Sequence, residues 1–355
     1  MEMLQAFDEA KSGVKGLLDS GIQKLPKIFI RPFEELLQES TNHNHKRENI
    51  QVPVIDFCEI WKPDRRKQIV EEVRTASETW GFFQVINHGI PLPVLDGMIE
   101  GVREFNEQGL EEKKKYYSRD NTKAVRFISN YDLSWSTTAS WRDTLTLSFS
   151  DADHPHGNEL PPSCREPAIQ YSKHVEILGN LILGLLSDGL GLEADSLKNM
   201  ECSKGHRLHC HYYPPCPEPE LAIGIGNHFD AGFLTILLQG HATRGLQVMH
   251  EGQWVDIEPV RGTLVVNIGD LLQLVSNGKL RSSGHRAVCN GFGPRISVAC
   301  FFSGPVNEAK IYGPIKELLS HENPPVYKEV ALSEYLVKFF AGGLDNHRAL
   351  DYFKL

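Results

Sequence analysis

His228-Phe229-Asp230-Ala231-Gly232-Phe233-Leu234-Thr235-Ile236-Leu237-Leu238-Gln239 is an apolar, β-prone run headed by two polar residues with one aromatic between them. In an extended strand residues i and i+2 share a face, so His228 and Asp230 converge on one point while Phe229 turns away. Residues 246–249, 254–257 and 263–268 are further short apolar or alternating runs, broken by Gly, Asn and charged turns. This is the pattern of several antiparallel strands. Strands wound back and forth bring distant positions together, so His285 and, ten residues on, Arg295-Ile296-Ser297 can meet the first triplet.

Two imidazoles and one carboxylate hold a divalent metal on one face and leave the other positions for a chelating substrate and oxygen, which points to Fe(II). His228, Asp230 and His285 are the candidate metal ligands and the candidate catalytic centre. Arg295 and Ser297 share a strand face by the same alternation, and a guanidinium beside a hydroxyl suits a carboxylate held in a fork. Phe301, on that face again, is a candidate wall of the substrate pocket. A His-x-Asp alone arises by chance roughly once in a chain of this length. The weight lies in the ordered ensemble.

That ensemble includes His211-Tyr212-Tyr213-Pro214-Pro215-Cys216-Pro217, Asn267-Ile268-Gly269-Asp270, Ser283-Gly284-His285-Arg286 and Arg295-Ile296-Ser297. Upstream stand Trp80-Gly81-Phe82-Phe83-Gln84-Val85-Ile86-Asn87-His88-Gly89 and Trp141-Arg142-Asp143. On these motifs nearly the whole chain resembles the plant 2-oxoglutarate/Fe(II)-dependent dioxygenases, nearest to the homologues of aminocyclopropane-carboxylate oxidase, a group with alkaloid and benzoxazinoid hydroxylases. The resemblance implies an oxidoreductase using Fe(II), 2-oxoglutarate and O2, with ascorbate as reductant. It implies that His228, Asp230 and His285 ligate the iron, that Arg295 and Ser297 hold the distal carboxylate of 2-oxoglutarate, and that Tyr213 donates to it. The implied reaction hydroxylates, desaturates or demethylates a small specialised plant metabolite and yields succinate and CO2. Phe229 and His211 depart from the small or polar residue and the Asn common there, which bears on pocket shape more than on mechanism. Two alternatives stay open: an ascorbate-driven Fe(II) oxidase of the aminocyclopropane-carboxylate oxidase type, and a non-catalytic metal-containing jelly-roll binding protein.

The 355 residues are 41% hydrophobic and 23% charged, ordinary globular material. A net charge of -9 argues against nucleic acid or an acidic membrane as partner; a small-molecule substrate and a monomer are the further expectations. Seven scattered cysteines, with no signal segment and no membrane span, predict a cytoplasmic protein with reduced thiols. Lys113-Lys114-Lys115 reads as a solvated helix face, and His206, His209, Cys210, His211 and Cys216 lack the paired spacing of a zinc cluster.

The predicted fold is mixed α and β: a double-stranded β-helix (jelly roll) core with flanking helices and an α/β amino-terminal lobe. Four parts are expected: a helical extension and linker over 1–50, the amino-terminal lobe over 51–160, a long helix plus catalytic jelly roll over 161–305, and a helical closing segment over 306–355. The long helix is read over 167–189, with Ile177, Leu178, Leu181, Ile182, Leu185 and Leu186 as its buried stripe. The polar run 39–47 and the His154-Pro155-His156 stretch read as exposed loops.

Overall fold

The structure, a computed structural model, describes residues 2–36, 50–130, 138–149, 159–305, 310–341 and 348–355. The polar run 39–47 and His154-Pro155-His156 lie outside the described residues. The strands in chain order are β1 (Val54–Asp56), β2 (Phe82–Ile86), β3 (Val125–Ile128), β4 (Asp143–Ser148), β5 (Gly205–Tyr213), β6 (Ile223–His228) and β7 (Leu234–Gln239). They continue as β8 (Leu246–His250), β9 (Gln253–Asp256), β10 (Leu264–Ile268), β11 (His285–Val288) and β12 (Arg295–Ser303), with a small pair β13 (Ile311–Tyr312) and β14 (Val330–Ala331). An eight-stranded sheet runs β1-β2-β10-β7-β12-β5-β4-β3, and a four-stranded sheet runs β6-β11-β8-β9. The β1–β2 pairing is parallel and the other pairings within these two sheets are antiparallel. This mixed architecture is the jelly-roll core with flanking helices that the sequence predicts.

Period-2 alternation divides every central strand. On β7 Leu234, Ile236 and Leu238 enter the main core, as do Leu208, Cys210 and Tyr212 of β5 and Ile296, Val298, Cys300 and Phe302 of β12. Three helices pack against that outer face: Pro63–Thr79 through Val73, Leu92–Glu107 through Met98, and Arg165–Gly189 through Leu178, Ile182 and Leu183. Each such side chain removed from water contributes about 1.5–3 kcal/mol. The opposite faces of the strands turn toward the four-stranded sheet, where Val265 of β10 meets Phe82, Leu246, Val248 and Ile257 in a smaller inter-sheet core.

Two expectations are corrected here. The long helix starts at Arg165, and its buried row is Ala168, Tyr171, Val175, Leu178, Ile182, Leu183, Leu185 and Leu186, while Ile177 is 69% exposed and Leu181 only partly buried. The i, i+3, i+4 row that contains Leu178 runs through 171, 175 and 182, which turns Ile177 off the sheet. Lys113 is not solvated: it is buried, and its Nζ donates to the Asn106 backbone oxygen at 2.9 Å.

Gly179 fixes how close this helix comes to the sheet, because a Cβ there would sit 2.2 Å from Cζ of the Phe302 ring. Gly179→Ala is expected to lower stability by about 1–3 kcal/mol, the cost of overpacking a core, read as a lower midpoint in thermal unfolding. An unchanged midpoint would mean that helix and ring part without cost.

Candidate metal centre

β6 ends at His228, and its antiparallel partner β11 begins at His285, the two residues being directly paired across the ladder. Their rings lie 4.1 Å apart between centroids. Asp230 is not on that strand, contrary to the simple alternation argument; it lies in the turn that leads to β7. The turn is held because the Asp230 backbone oxygen accepts from the Asp270 N–H at 2.8 Å. Ligand atoms of His228, Asp230 and His285 all fall within 4.8 Å of one another.

The outer partners orient all three. His228 Nδ1 is 2.9 Å from the Gly226 oxygen and His285 Nδ1 is 3.2 Å from the Ser283 oxygen. A carbonyl only accepts, so each Nδ1 carries the proton and each Nε2 keeps its lone pair. Those Nε2 atoms stand 3.8 and 3.6 Å from Asp230 Oδ1. The other carboxylate oxygen, Oδ2, accepts from Thr235 Oγ1 and Asn267 Nδ2, both at 2.7 Å. One oxygen is thus anchored and one faces the imidazoles.

Burial, together with the facing His285, pushes His228 down to about 3, so the ring is neutral and able to ligate. Burial pushes the Asp230 carboxyl up, but the two imidazoles and the Thr235 and Asn267 hydrogen bonds outweigh it and hold the group below its usual range. Two imidazole nitrogens and one carboxylate oxygen on one face form a donor set that fits Fe(II) and leaves its other positions open. Asn267→Ala is expected to weaken Fe(II) binding about 10–100-fold, the usual effect of losing an outer partner. Titration of metal-free protein with Fe(II) reads this; unchanged affinity would show that Thr235 alone anchors the carboxylate.

Arg295 opens β12 on the same inner face. It is 2% exposed, its Nη2 donates to Gln239 Oε1 at 2.8 Å and its Nη1 to Ser297 Oγ at 3.2 Å. The Arg295 guanidinium lies 5.0 Å from the ring of Tyr213, the residue paired with it on β5. Burial draws the guanidinium below its usual value, yet an arginine remains charged at neutral pH. Its Nε is buried with no hydrogen-bond partner. A buried cation with an orphaned donor, a hydroxyl beside it and no carboxylate among the described residues paired to it fits the acid group of 2-oxoglutarate.

One pocket joins these residues: His228, Asp230, His285, Tyr213, Arg295, Ser297 and Phe301 all line it. Phe301 packs edge-on against His209 with centroids 4.8 Å apart. His211 points into the same pocket from β5, its Nδ1 3.0 Å from Thr144 Oγ1. Phe229 faces elsewhere, with the Arg348 guanidinium 4.3 Å over its ring. Thr235, Asn267 and Gln239 carry no role in the reading from sequence. Thr235 and Asn267 pair directly across β7 and β10, and that register is the missing information.

Residues 204–304 match the family described as the 2OG-Fe(II) oxygenase superfamily, and residues 52–167 match the family described as non-haem dioxygenase in morphine synthesis N-terminal. The 1-aminocyclopropane-1-carboxylate oxidase homolog 1 of Arabidopsis thaliana is 48% identical over 355 residues, covering 99% of this chain and 96% of its own. A 1-aminocyclopropane-1-carboxylate oxidase homolog of Solanum lycopersicum is likewise 48% identical, with coverage of 100% and 97%. Among solved structures, JOX2 in complex with 2OG, Fe and JA superposes with a TM-score of 0.83 at 28% identity, covering 97% of both chains. The Arabidopsis thaliana dioxygenase for auxin oxidation 1 with 2-oxoglutarate gives a TM-score of 0.64 at 28% identity, over 77% of this chain and 100% of that one. Among the described residues no helix is long and apolar enough to cross a membrane.

Proposed function

The chain belongs to the 2OG-Fe(II) oxygenase superfamily and is a dioxygenase dependent on 2-oxoglutarate and Fe(II), and from that premise we propose that it oxidises a C–H bond of a small specialised plant metabolite. Hydroxylation is the default outcome, and desaturation or demethylation follows from how the substrate is placed. In this reading His228 and His285 ligate through Nε2 and Asp230 through Oδ1, the atoms their outer partners leave available. Arg295 and Ser297 grip the distal carboxylate of 2-oxoglutarate, and the Tyr213 hydroxyl donates to it.

Bound iron and cosubstrate supply the oxidising chemistry, coupling decarboxylation of 2-oxoglutarate to oxidation of the substrate. The chain supplies orientation. Arg295 is held by Gln239 and Ser297 before any ligand arrives, so little is lost on binding. Phe301 and Phe82 shield the centre from water, Phe82 lying edge-on to the His285 ring at 5.1 Å. Ascorbate serves as reductant, and the odd number and scattered spacing of the seven cysteines support a reducing compartment, the cytoplasm.

The observation that carries this reading is the buried Arg295, with its orphaned Nε, on the wall of the pocket that holds the triad. The test incubates purified protein, Fe(II), ascorbate and labelled 2-oxoglutarate with a plant extract. Labelled succinate and a product one oxygen heavier are expected. Turnover that proceeds without 2-oxoglutarate and releases no succinate would replace this reading with an ascorbate-driven oxidase.

A further inference from the structure

Arg142 stands one residue ahead of β4, at the place that faces Tyr213 when the Asp143↔Tyr212 pairing is continued. Alternation sends Leu145 and Leu147 of β4 into the main core and leaves Arg142 and Thr144 on the inner face. There Arg142 lines the metal pocket together with His211, Tyr213 and Arg295. It is 5% exposed, and its Nε is buried with no hydrogen-bond partner. No carboxylate among the described residues pairs with it.

Its neighbours hold the backbone from both sides. The Trp141 indole donates to the Pro214 oxygen at 3.0 Å and packs edge-on against Phe29 with centroids 5.0 Å apart. The fully buried Asp143 accepts from the Val14 and Lys15 N–H groups at 2.7 and 2.9 Å. An unpaired guanidinium fixed in a buried wall is costly to the folded protein and is therefore expected to meet an anion.

That anion is not 2-oxoglutarate. Asp230 brings the one carboxylate among the residues lining the pocket. Its charge, the Arg295 cation, a ferrous ion and the 2-oxoglutarate dianion cancel to zero. Arg286 also lines the pocket, but its Nε donates to Gln247 Oε1 and its guanidinium lies 4.2 Å over the Trp254 ring. Arg286 keeps its charge beside these neutral partners, and Arg142 is the lining arginine for which no side-chain partner stands among the described residues, on the β4–β5 side of the pocket. One carboxylate matches Arg142 in charge and in the planar, two-point geometry of a guanidinium.

We propose that Arg142 binds a carboxylate of the substrate, so that the enzyme acts on a carboxylic acid. This rests on the reading under Proposed function, in which Arg295 is committed to the cosubstrate. The experiment uses the Fe(II) enzyme saturated with 2-oxoglutarate under anaerobic conditions, titrated by calorimetry with octanoate, 3-phenylpropanoate and 4-hydroxybenzoate and with the matching primary amides. At least one acid is expected to bind tenfold or more tightly than its amide. Arg142→Gln removes that preference, Arg142→Lys keeps part of it, and both variants bind 2-oxoglutarate within twofold of the unmodified protein.

Acids and amides that bind alike, or not at all, would overturn the proposal, as would a preference that survives in Arg142→Gln. Weakened 2-oxoglutarate binding in Arg142→Gln would also overturn it, by moving the arginine into the cosubstrate site. These outcomes leave the reading of the cosubstrate site standing, whereas failure of the unmodified protein to bind 2-oxoglutarate brings down both.

Discussion

Asp230→Ala is expected to bind Fe(II) more than about 100-fold more weakly and to lose turnover, since removal of an outer partner alone costs about 10–100-fold. The substitution takes away the single anionic donor and leaves two imidazoles that face each other across β6 and β11. It also strands the Thr235 hydroxyl and the Asn267 amide, at a cost of about 1–3 kcal/mol for an unsatisfied buried group. The sheets survive, because the main core lies on the far side of the strands. Metal titration, succinate release and circular dichroism read the three effects separately. Asp230→Glu fails as well, since an added methylene moves the donor oxygen out of a site fixed at three points. Full activity in either variant would remove Asp230 from the centre.

Arg295→Lys raises the 2-oxoglutarate concentration needed for half-maximal rate, about tenfold for each 1.4 kcal/mol lost. A lysine ammonium is a point charge on a flexible stem and cannot reproduce the fork held by Gln239 and Ser297. Arg295→Ala goes further, losing hydrogen bonds to a charged group worth about 1.5–3 kcal/mol each. Fe(II) binding stays unchanged in both, because Arg295 makes no hydrogen bond to the triad. Equal 2-oxoglutarate dependence in the two variants and the unmodified protein would place the cosubstrate elsewhere.

Alternation makes much of this legible in the sequence. Arg295, Ser297 and Phe301 fall on one face of β12, and Ile296, Val298, Cys300 and Phe302 on the other. The His228-x-Asp230 spacing singles out residues that do cluster with His285, but through an incomplete argument, since the strand stops at His228 and the turn delivers Asp230. The long helix is plain in the sequence but its buried face is not, as Ile177 shows, because a run of apolar residues does not say which of them meets the sheet. What stays hidden is lateral. Asn267 meets Thr235, and Arg142 approaches Tyr213, only once β10 lies beside β7 and β4 beside β5. Strand neighbours and their register are properties of the assembled sheet.

The two-sided strands also bear on how such an enzyme diverges. Ala299 and Phe301 line the pocket, while Val298, Cys300 and Phe302 on the same strand support the helices. A lineage can therefore exchange Ala299 and Phe301 and change what it recognises without disturbing what keeps it folded. Saturation libraries confined to Ile225, Ala299 and Phe301 would sample new specificities at little risk to expression, whereas equally sized libraries at the intervening positions would mostly yield insoluble protein.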